Sequence, residues 1–341
     1  MRFLVTGSIA VDHLMTYPGR FADQLLADRL DRVSLSFLAD GLDVRWGGVA
    51  ANIAVGLARL GLRPAVLGAA GTDFAEYRRR LEAGGVDTGS VRISTTRYTA
   101  RFVCTTDADQ NQIATFYPGA MTEAVELSLA DAVRRSGPPD LVVVAPDDPE
   151  AMVRHTDACR RLGLAFAADP SQQLARLGEA QARRLVDGAR YLFTNEYEAA
   201  LVRRRTRWTV REILDRVGVW VTTLGPAGAL LASADGTRRR VPAVPARGTL
   251  EPTGAGDAFR AGFLAGVARG LTHERAAQLG CALATVVLES VGTQEYRLHP
   301  AELADRIEEV YGAAAAHDIR RALPGGALAP AHRQATAETT R

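Results

Sequence analysis

A chain of 341 residues, 47% of them apolar, is long enough to bury a large core, in one domain with an appendage or in two. Its net charge of +2 gives no field strong enough to point to nucleic acid or an anionic membrane, and neither is expected as a partner. All 41 basic residues are arginine; without lysine, a Walker A loop, a protein-kinase phosphate lysine and Schiff-base chemistry are ruled out.

Arg2–Gly7 is a buried-type strand, and Ser8-Ile-Ala-Val-Asp12 leaves its C-terminal edge, where open α/β sheets bind ligands. Ser8 and Asp12 suit either sugar hydroxyls or ordinary turn chemistry. Residues 14–46 lack helix–strand alternation, and Val33–Phe37 and Leu42–Trp46 read as strands of a small sheet. Gly47-Gly-Val-Ala-Ala-Asn52 then opens a helix that runs to about Leu60 and stops at Gly61. Strand Ala65–Ala69, helix Asp73–Ala83 and the Gly84-Gly85 turn continue the α/β pattern. Strands return at Val91–Ser94, Thr99–Thr106 and Gln112–Phe116, the last two joined by a hairpin turn at Asp107-Ala-Asp-Gln. They are expected to complete the small sheet as a discontinuous lid. Phe102 and Phe116 either stack on a purine ring or pack that sheet.

Farther on, strands Leu141–Ala145, Ala165–Ala168, Tyr191–Thr194 and Val219–Leu224 are separated by helices such as Glu150–Leu162 and Leu177–Asp187. Such alternation predicts a three-layer α/β/α fold around a doubly wound, mostly parallel sheet. Asp169-Pro-Ser-Gln-Gln173 leaves a strand end and brings Gln172 and Gln173 toward the same crevice. Asn195 with Glu198 reads as a helix cap and its first-turn acid. Helices at Thr272–Ser290 and Pro300–Ala315 close the fold, and residues 323–341 have the composition of a disordered tail. The expected core spans 1–12, 47–90 and 118–320, and the lid 13–46 and 91–117.

The chemistry centres on Glu251-Pro-Thr-Gly-Ala-Gly-Asp257 and the helix that follows. Small residues Ala258, Ala261, Gly262, Ala265 and Gly266 occupy close-packing positions along that helix. Its first turn offers unpaired N–H groups from Gly254, Ala255, Gly256 and Asp257, an anion hole by geometry and dipole. A carboxylate at that positive end makes sense as a base. It takes a proton from a hydroxyl while the N–H groups hold the phosphoryl group under attack. The bland alternative is a Gly-rich helix start with an ordinary first-turn acid.

The full string T-G-A-G-D-A-F resembles the C-terminal signature of the PfkB (ribokinase-like) sugar and nucleoside kinases, with Glu251 where the family usually has Asp. Gly47-Gly48 with Asn52 resembles the same family's N-terminal signature, in the right order. Val49 stands where many ribokinases have lysine, which argues against a plain ribokinase. By this resemblance Gly48 lets a ribose approach the backbone, Asn52 bonds its hydroxyls, and the N-x-x-E pair Asn195 and Glu198 handles Mg2+ and phosphate. Thr223, Gly225 and Gly228 fall in the family's nucleotide-binding turn, and Glu251, Thr253 and Gly292 are counterparts of a site for a monovalent cation such as K+. Longer strings, among them Phe116-Tyr-Pro-Gly-Ala-Met and Phe166-Ala-Ala-Asp-Pro-Ser-Gln-Gln-Leu-Ala-Arg, look like bacterial adenosine kinases of the family. Their likeness implies ribose contacts from Ser8, Asp12, Gly48 and Asn52. It also implies a purine pocket of Ser36, Phe102, Phe116, Gln172 and Gln173, with Arg176 nearby. The expected activity is ATP- and Mg2+-dependent phosphorylation of adenosine for purine salvage, with Asp257 as catalytic base. Family precedent adds a homodimer through the lid.

A kinase for a sugar or another nucleoside is the alternative, and a catalytically silent nucleoside-binding protein is a second. Three cysteines without C-x-x-C spacing, the absence of a membrane-length apolar run and a start without a signal-peptide pattern lead us to expect a cytoplasmic protein. Six histidines show no metal-ligand spacing, no G-x-G-x-x-G follows the first strand, and no G-x-S-x-G elbow is present.

Overall fold

The computed structural model describes residues 1–24, 34–248 and 252–323. In chain order the strands are β1 (Phe3–Thr6), β2 (Ala10–Thr16), β3 (Gly41–Gly47), β4 (Ala65–Leu67), β5 (Ala69–Ala70), β6 (Arg92–Ile93) and β7 (Ala100–Thr106). They continue as β8 (Gln112–Tyr117), β9 (Leu141–Val144), β10 (Phe166–Ala168), β11 (Tyr191–Asn195), β12 (Val219–Thr223), β13 (Ala229–Ala232) and β14 (Arg238–Val241). Eight of them form one sheet in the order β14-β13-β12-β11-β10-β9-β1-β4. From β4 to β12 the neighbours are parallel, and β13 and β14 add an antiparallel edge.

Helices cover both faces of this sheet, so its central strands are buried along nearly their whole length rather than on alternate residues. One face packs on helices Val49–Arg59, Ala75–Ala83, Ala255–Ala268, His273–Leu288, Pro300–Tyr311 and Ala313–Ala322. Against the other lie Leu129–Ser136, Pro149–Leu162, Glu179–Val186, Glu196–Thr206 and Val210–Leu214. The expected doubly wound, three-layer core is therefore the observed one. β1 has β4 on one side and β9 on the other, so the winding reverses there. A crevice opens at the carboxyl ends of these strands.

A separate four-stranded sheet, β3-β2-β7-β8, makes the lid. It starts at Ala10, ahead of the expected boundary at residue 13, because the chain after Ser8 continues directly into β2. Val91–Ser94 was expected in this sheet; instead β6 pairs in parallel with β5 as a separate two-stranded sheet. Val33 lies outside the described residues, and 34–37 form no strand. Phe37 packs instead against Tyr17 and Phe21, with ring centroids 5.1 and 4.8 Å away, so its apolar surface is used in an aromatic cluster. The expected closing helix is two helices, broken at Gly312, whose φ of 84° no ordinary residue adopts easily. The tail beyond residue 323 lies outside the described residues. Among those residues no helix is long and apolar enough to cross a membrane.

Helix Ala255–Ala268 is buried along its length, and its small residues let the neighbouring backbones come close. A Cβ at Gly262 would sit 2.7 Å from the Gly280 Cα and 2.8 Å from the Leu279 carbonyl oxygen. A Cβ at Gly56 would meet that of Ala261 at 2.5 Å. Gly262→Ala gains helix propensity, worth ~1 kcal/mol, but drives a methyl into backbone that cannot swing away. We predict a net loss of ~1–3 kcal/mol, read from the denaturant midpoint. Gly84→Ala, whose new methyl meets nothing nearer than 3.4 Å, serves as the control.

Candidate active site

The crevice is a cavity of about 640 Å3 between the lid and the carboxyl ends of the core strands. That volume suits a small-molecule site. One cross-strand row of the lid supplies three of its lining residues. Asp12 on β2 is paired with Phe102 on β7, and Phe102 with Phe116 on β8. The period of two along each strand turns these three side chains to one face. Ser8 and Pro146 enter from the ends of β1 and β9, and Gln172, Gln173 and Arg176 from the turn after β10. Gly48, Asn52, Thr253, Asp257 and Thr293 complete the polar part of the wall.

The structure thus gathers Ser8, Asp12, Gly48, Asn52, Phe102, Phe116, Gln172, Gln173, Arg176 and Asp257, as the sequence led us to expect. Ser36 is different: it is exposed and outside the lining, because 34–39 run as irregular chain rather than as a lid strand. Gly48 also has a backbone reason to be glycine. At its φ of 95°, a Cβ would lie 2.6 Å from the Ser8 carbonyl oxygen and the Ala10 nitrogen. Gly48 therefore admits the β1–β2 connection. The Ser8 hydroxyl accepts the Val49 N–H at 3.1 Å, which leaves its own proton to donate.

Helix Ala255–Ala268 starts from Gly254 in the left-handed conformation, φ 81°. Of its first-turn N–H groups, that of Ala255 donates to the Pro252 carbonyl at 3.4 Å, and those of Gly256 and Asp257 have no acceptor within the helix. Asp257 is partly enclosed, and it lines the cavity. The Asn52 amide donates to its Oδ2 at 2.8 Å. Desolvation pushes the Asp257 carboxyl up to about 6; Arg260 and the Asn52 hydrogen bond oppose this, and Glu198 adds to it.

Beneath the helix start lies a buried ion pair that the sequence reading missed. Arg260 meets Asp169 in a two-point contact, Nε–Oδ2 2.5 Å and Nη2–Oδ1 2.7 Å. Burial works against the guanidinium charge, but Asp169, Asp257 and Glu198 outweigh it, and the pKa of Arg260 is raised. The pair is ionic. A Cβ on Gly256 would come within 2.9 Å of Arg260 Nη1, so this cation sits directly under the first turn of the helix. A lone arginine inside a run of small apolar residues, three positions after Asp257, was the available signal.

The residues expected to handle ATP lie apart from this cavity, at the adjoining ends of β11 and β12. Asn195 is in register with Thr223, and Gly225 and Gly228 flank the short turn into β13. Asn195 and Glu198 cap each other: Glu198 Oε2 accepts the Asn195 N–H and Asn195 Oδ1 accepts the Glu198 N–H, both at 2.8 Å. The helix-cap reading of this pair is the one the structure displays. A Cβ on Gly228 would collide with the Val241 carbonyl oxygen at 2.0 Å, whereas Gly225 faces open space. Of the proposed monovalent-cation residues, Thr253 and Gly292 are described and Glu251 lies outside the described residues. Among the described residues no three histidine, cysteine or acidic side chains cluster as metal ligands.

Comparison with known proteins fits this geometry. A nucleoside kinase of Methanothermobacter thermautotrophicus is 34% identical over 252 residues, 73% of this chain and 80% of its own. The nucleoside kinase of Burkholderia thailandensis, solved with inosine, is 35% identical with a TM-score of 0.80, covering 91% of this chain and 98% of that one. The same protein with ADP-inosine gives a TM-score of 0.76 at 36% identity, over 91% and 96% of the two chains. The pattern of the pfkB carbohydrate kinases matches residues 6–299, from the end of β1 to the helix after Gly292. On that span, and with both signatures lining one cavity, the chain belongs to the PfkB family of carbohydrate kinases.

Proposed function

We propose that the protein is a nucleoside kinase, transferring the γ-phosphoryl group of ATP to the 5′-hydroxyl of a purine nucleoside, with adenosine as the acceptor. The observation that carries this is the placement of Asp257. A carboxylate at a helix N-terminus opens into a cavity walled by aromatic side chains and by Asp12 and Asn52. In this reading Ser8, Asp12 and Asn52 hold the ribose hydroxyls. Phe102 and Phe116 lie against the purine, Gln172 and Gln173 face its edge, and Arg176 stands at the mouth. Inosine is the second reading, favoured by the Burkholderia relative solved with it. Amide side chains carry donors and acceptors alike, so Gln172 and Gln173 suit a 6-oxo as well as a 6-amino purine.

Asp257 takes the proton of the 5′-hydroxyl, and the oxygen attacks the γ-phosphorus in line. The bond from that phosphorus to the bridging oxygen breaks, and ADP leaves with its electron pair. Charge on the transferred group falls on the N–H groups of residues 254–257 with Arg260 beneath them. A Mg2+ ion carried by the ATP phosphates would neutralise their charge, and Glu198, with one oxygen used in its cap, suits contact through water. A K+ ion would bind near Thr253 and Gly292, next to the same helix end. Closure of the four-stranded lid would keep water from the phosphoryl group. Its edge strands β3 and β8 carry exposed Leu42, Val44 and Ile113, the surface we assign to a homodimer. Cys104, Cys159 and Cys281 are all free, in keeping with a cytoplasmic location.

Asp257→Asn keeps the shape and the acceptor oxygen but not the base. We expect kcat to fall by ~10²–10⁴, with nucleoside affinity unchanged in calorimetry; near-normal turnover would remove Asp257 from the chemistry. The pH profile follows with its sign. The base works only when ionised, and its pKa is raised to about 6. In the free enzyme kcat/KM should therefore be flat at neutral pH and decline tenfold per unit below about pH 6. A profile that stays flat down to the ordinary carboxylate range would contradict the assignment.

A further inference from the structure

We infer that Tyr77 and Gln294, which line no part of the cavity, are positioning residues that decide which end of the Asn52 amide faces Asp257. The inference rests on Asp257 being the base. Its direction is fixed at the far end of a hydrogen-bonded chain. The Gly47 carbonyl, at the end of β3, has no proton, so the Tyr77 hydroxyl donates to it, at 2.8 Å. Burial raises the Tyr77 phenol well above its ordinary pKa, so that proton stays in place. The phenol oxygen is then an acceptor, and it takes one N–H of the Gln294 amide at 2.6 Å. The second N–H of the same group goes to Asn52 Oδ1 at 2.8 Å.

Thr293 Oγ1 lies 2.9 Å from that Asn52 oxygen as well. With Oδ1 taken, the amino end of Asn52 is the one turned to Asp257. Reversing the Gln294 amide would set its oxygen against Asn52 Oδ1. Reversing Asn52 as well would set an oxygen against the carboxylate. Gln294 Oε1 is buried without a hydrogen bond, so the amide is held by its N–H side alone. Tyr77 is held in turn by stacking on Trp46, ring centroids 4.7 Å apart. Both Tyr77 and Gln294 are fully buried, and neither touches the place where substrate would lie.

The consequence falls on the protonation of Asp257. Desolvation and Glu198 from helix Glu196–Thr206 disfavour the carboxylate, Arg260 on its own helix favours it, and the Asp257 charge in turn raises Asp169 at the end of β10. Asn52 adds a donor from helix Val49–Arg59, and the relay keeps that donor in place. Because Gly47 ends a lid strand, the same chain ties the base to the root of the lid.

Gln294→Glu reverses the relay: a carboxylate at 294 draws the Asn52 amino group and turns its oxygen toward Asp257. Tyr77→Phe removes the anchor without changing shape. Each is read by infrared difference titration of the Asp257 carboxyl against Asp257→Asn in the same background, and by kcat/KM from pH 5 to 9. The expected result for Gln294→Glu is an upward shift of about one unit, so that kcat/KM falls roughly tenfold at pH 5.5 and little at pH 8.5. Tyr77→Phe should move the same way by less. An Asp257 titration unmoved in both folded variants, or a loss equal at every pH, would overturn the relay. If Gln294→Glu does not fold, Tyr77→Phe decides alone. The infrared titration needs no turnover, so an inactive wild type would sink the base assignment while the shift still judged the relay.

Discussion

The structure depends on keeping one carboxylate ionised in a place that resists it. Desolvation favours the protonated form of Asp257 at its helix end, and the charge of Glu198 adds to it. Three groups push back: the first-turn N–H groups, the Arg260 guanidinium and the Asn52 amide. Each has its own support. Arg260 is clamped by Asp169, Asn52 by Thr293 and Gln294, and the helix end by Gly254, the turn residue that allows its sharp entry. In the role we propose for Asp257, a general base gains from this tension, because a pKa near the working pH is both available and strong enough.

Topology explains how such distant residues meet. The winding of the large sheet reverses at β1, and the chain leaves that strand's end directly into the lid. Ser8, Asp12 and Gly48 are therefore close to the crevice whatever else the lid does. Helix Ala255–Ala268 comes near because glycine and alanine let it pack closely on helix Val49–Arg59, which brings Asn52 to Asp257 across 205 positions of sequence. The packing glycines and the Asn52–Asp257 geometry are thus one constraint.

Much of this was legible from local pattern. Continuous apolar runs between helices pointed to the parallel sheet, and the two glycine signatures pointed to residues that line one cavity, Gly48 and Asn52 from one and Thr253 and Asp257 from the other. What escaped was long-range. The Arg260–Asp169 pair and the Asn52–Gln294–Tyr77 chain join residues whose partners no spacing reveals. β13 and β14 were not anticipated: Arg238 to Arg240 carry no alternation of apolar and polar residues, and on the antiparallel edge strand β14 all three are exposed, yet paired with β13. Ser36 was placed by likeness in strings alone, without a strand to hold it, and the chain there is irregular.

The central claim is that this cavity presents a nucleoside hydroxyl to Asp257. The most direct measurement offers the purified protein ATP and Mg2+ with adenosine, inosine, guanosine, ribose or fructose 6-phosphate in turn, and follows ADP release. Turnover with purine nucleosides, adenosine foremost, and none with the free sugars is the predicted result. Turnover with a sugar alone would leave the chemistry of Asp257 standing and contradict the purine pocket, and tight adenosine binding without any ADP would contradict the kinase itself.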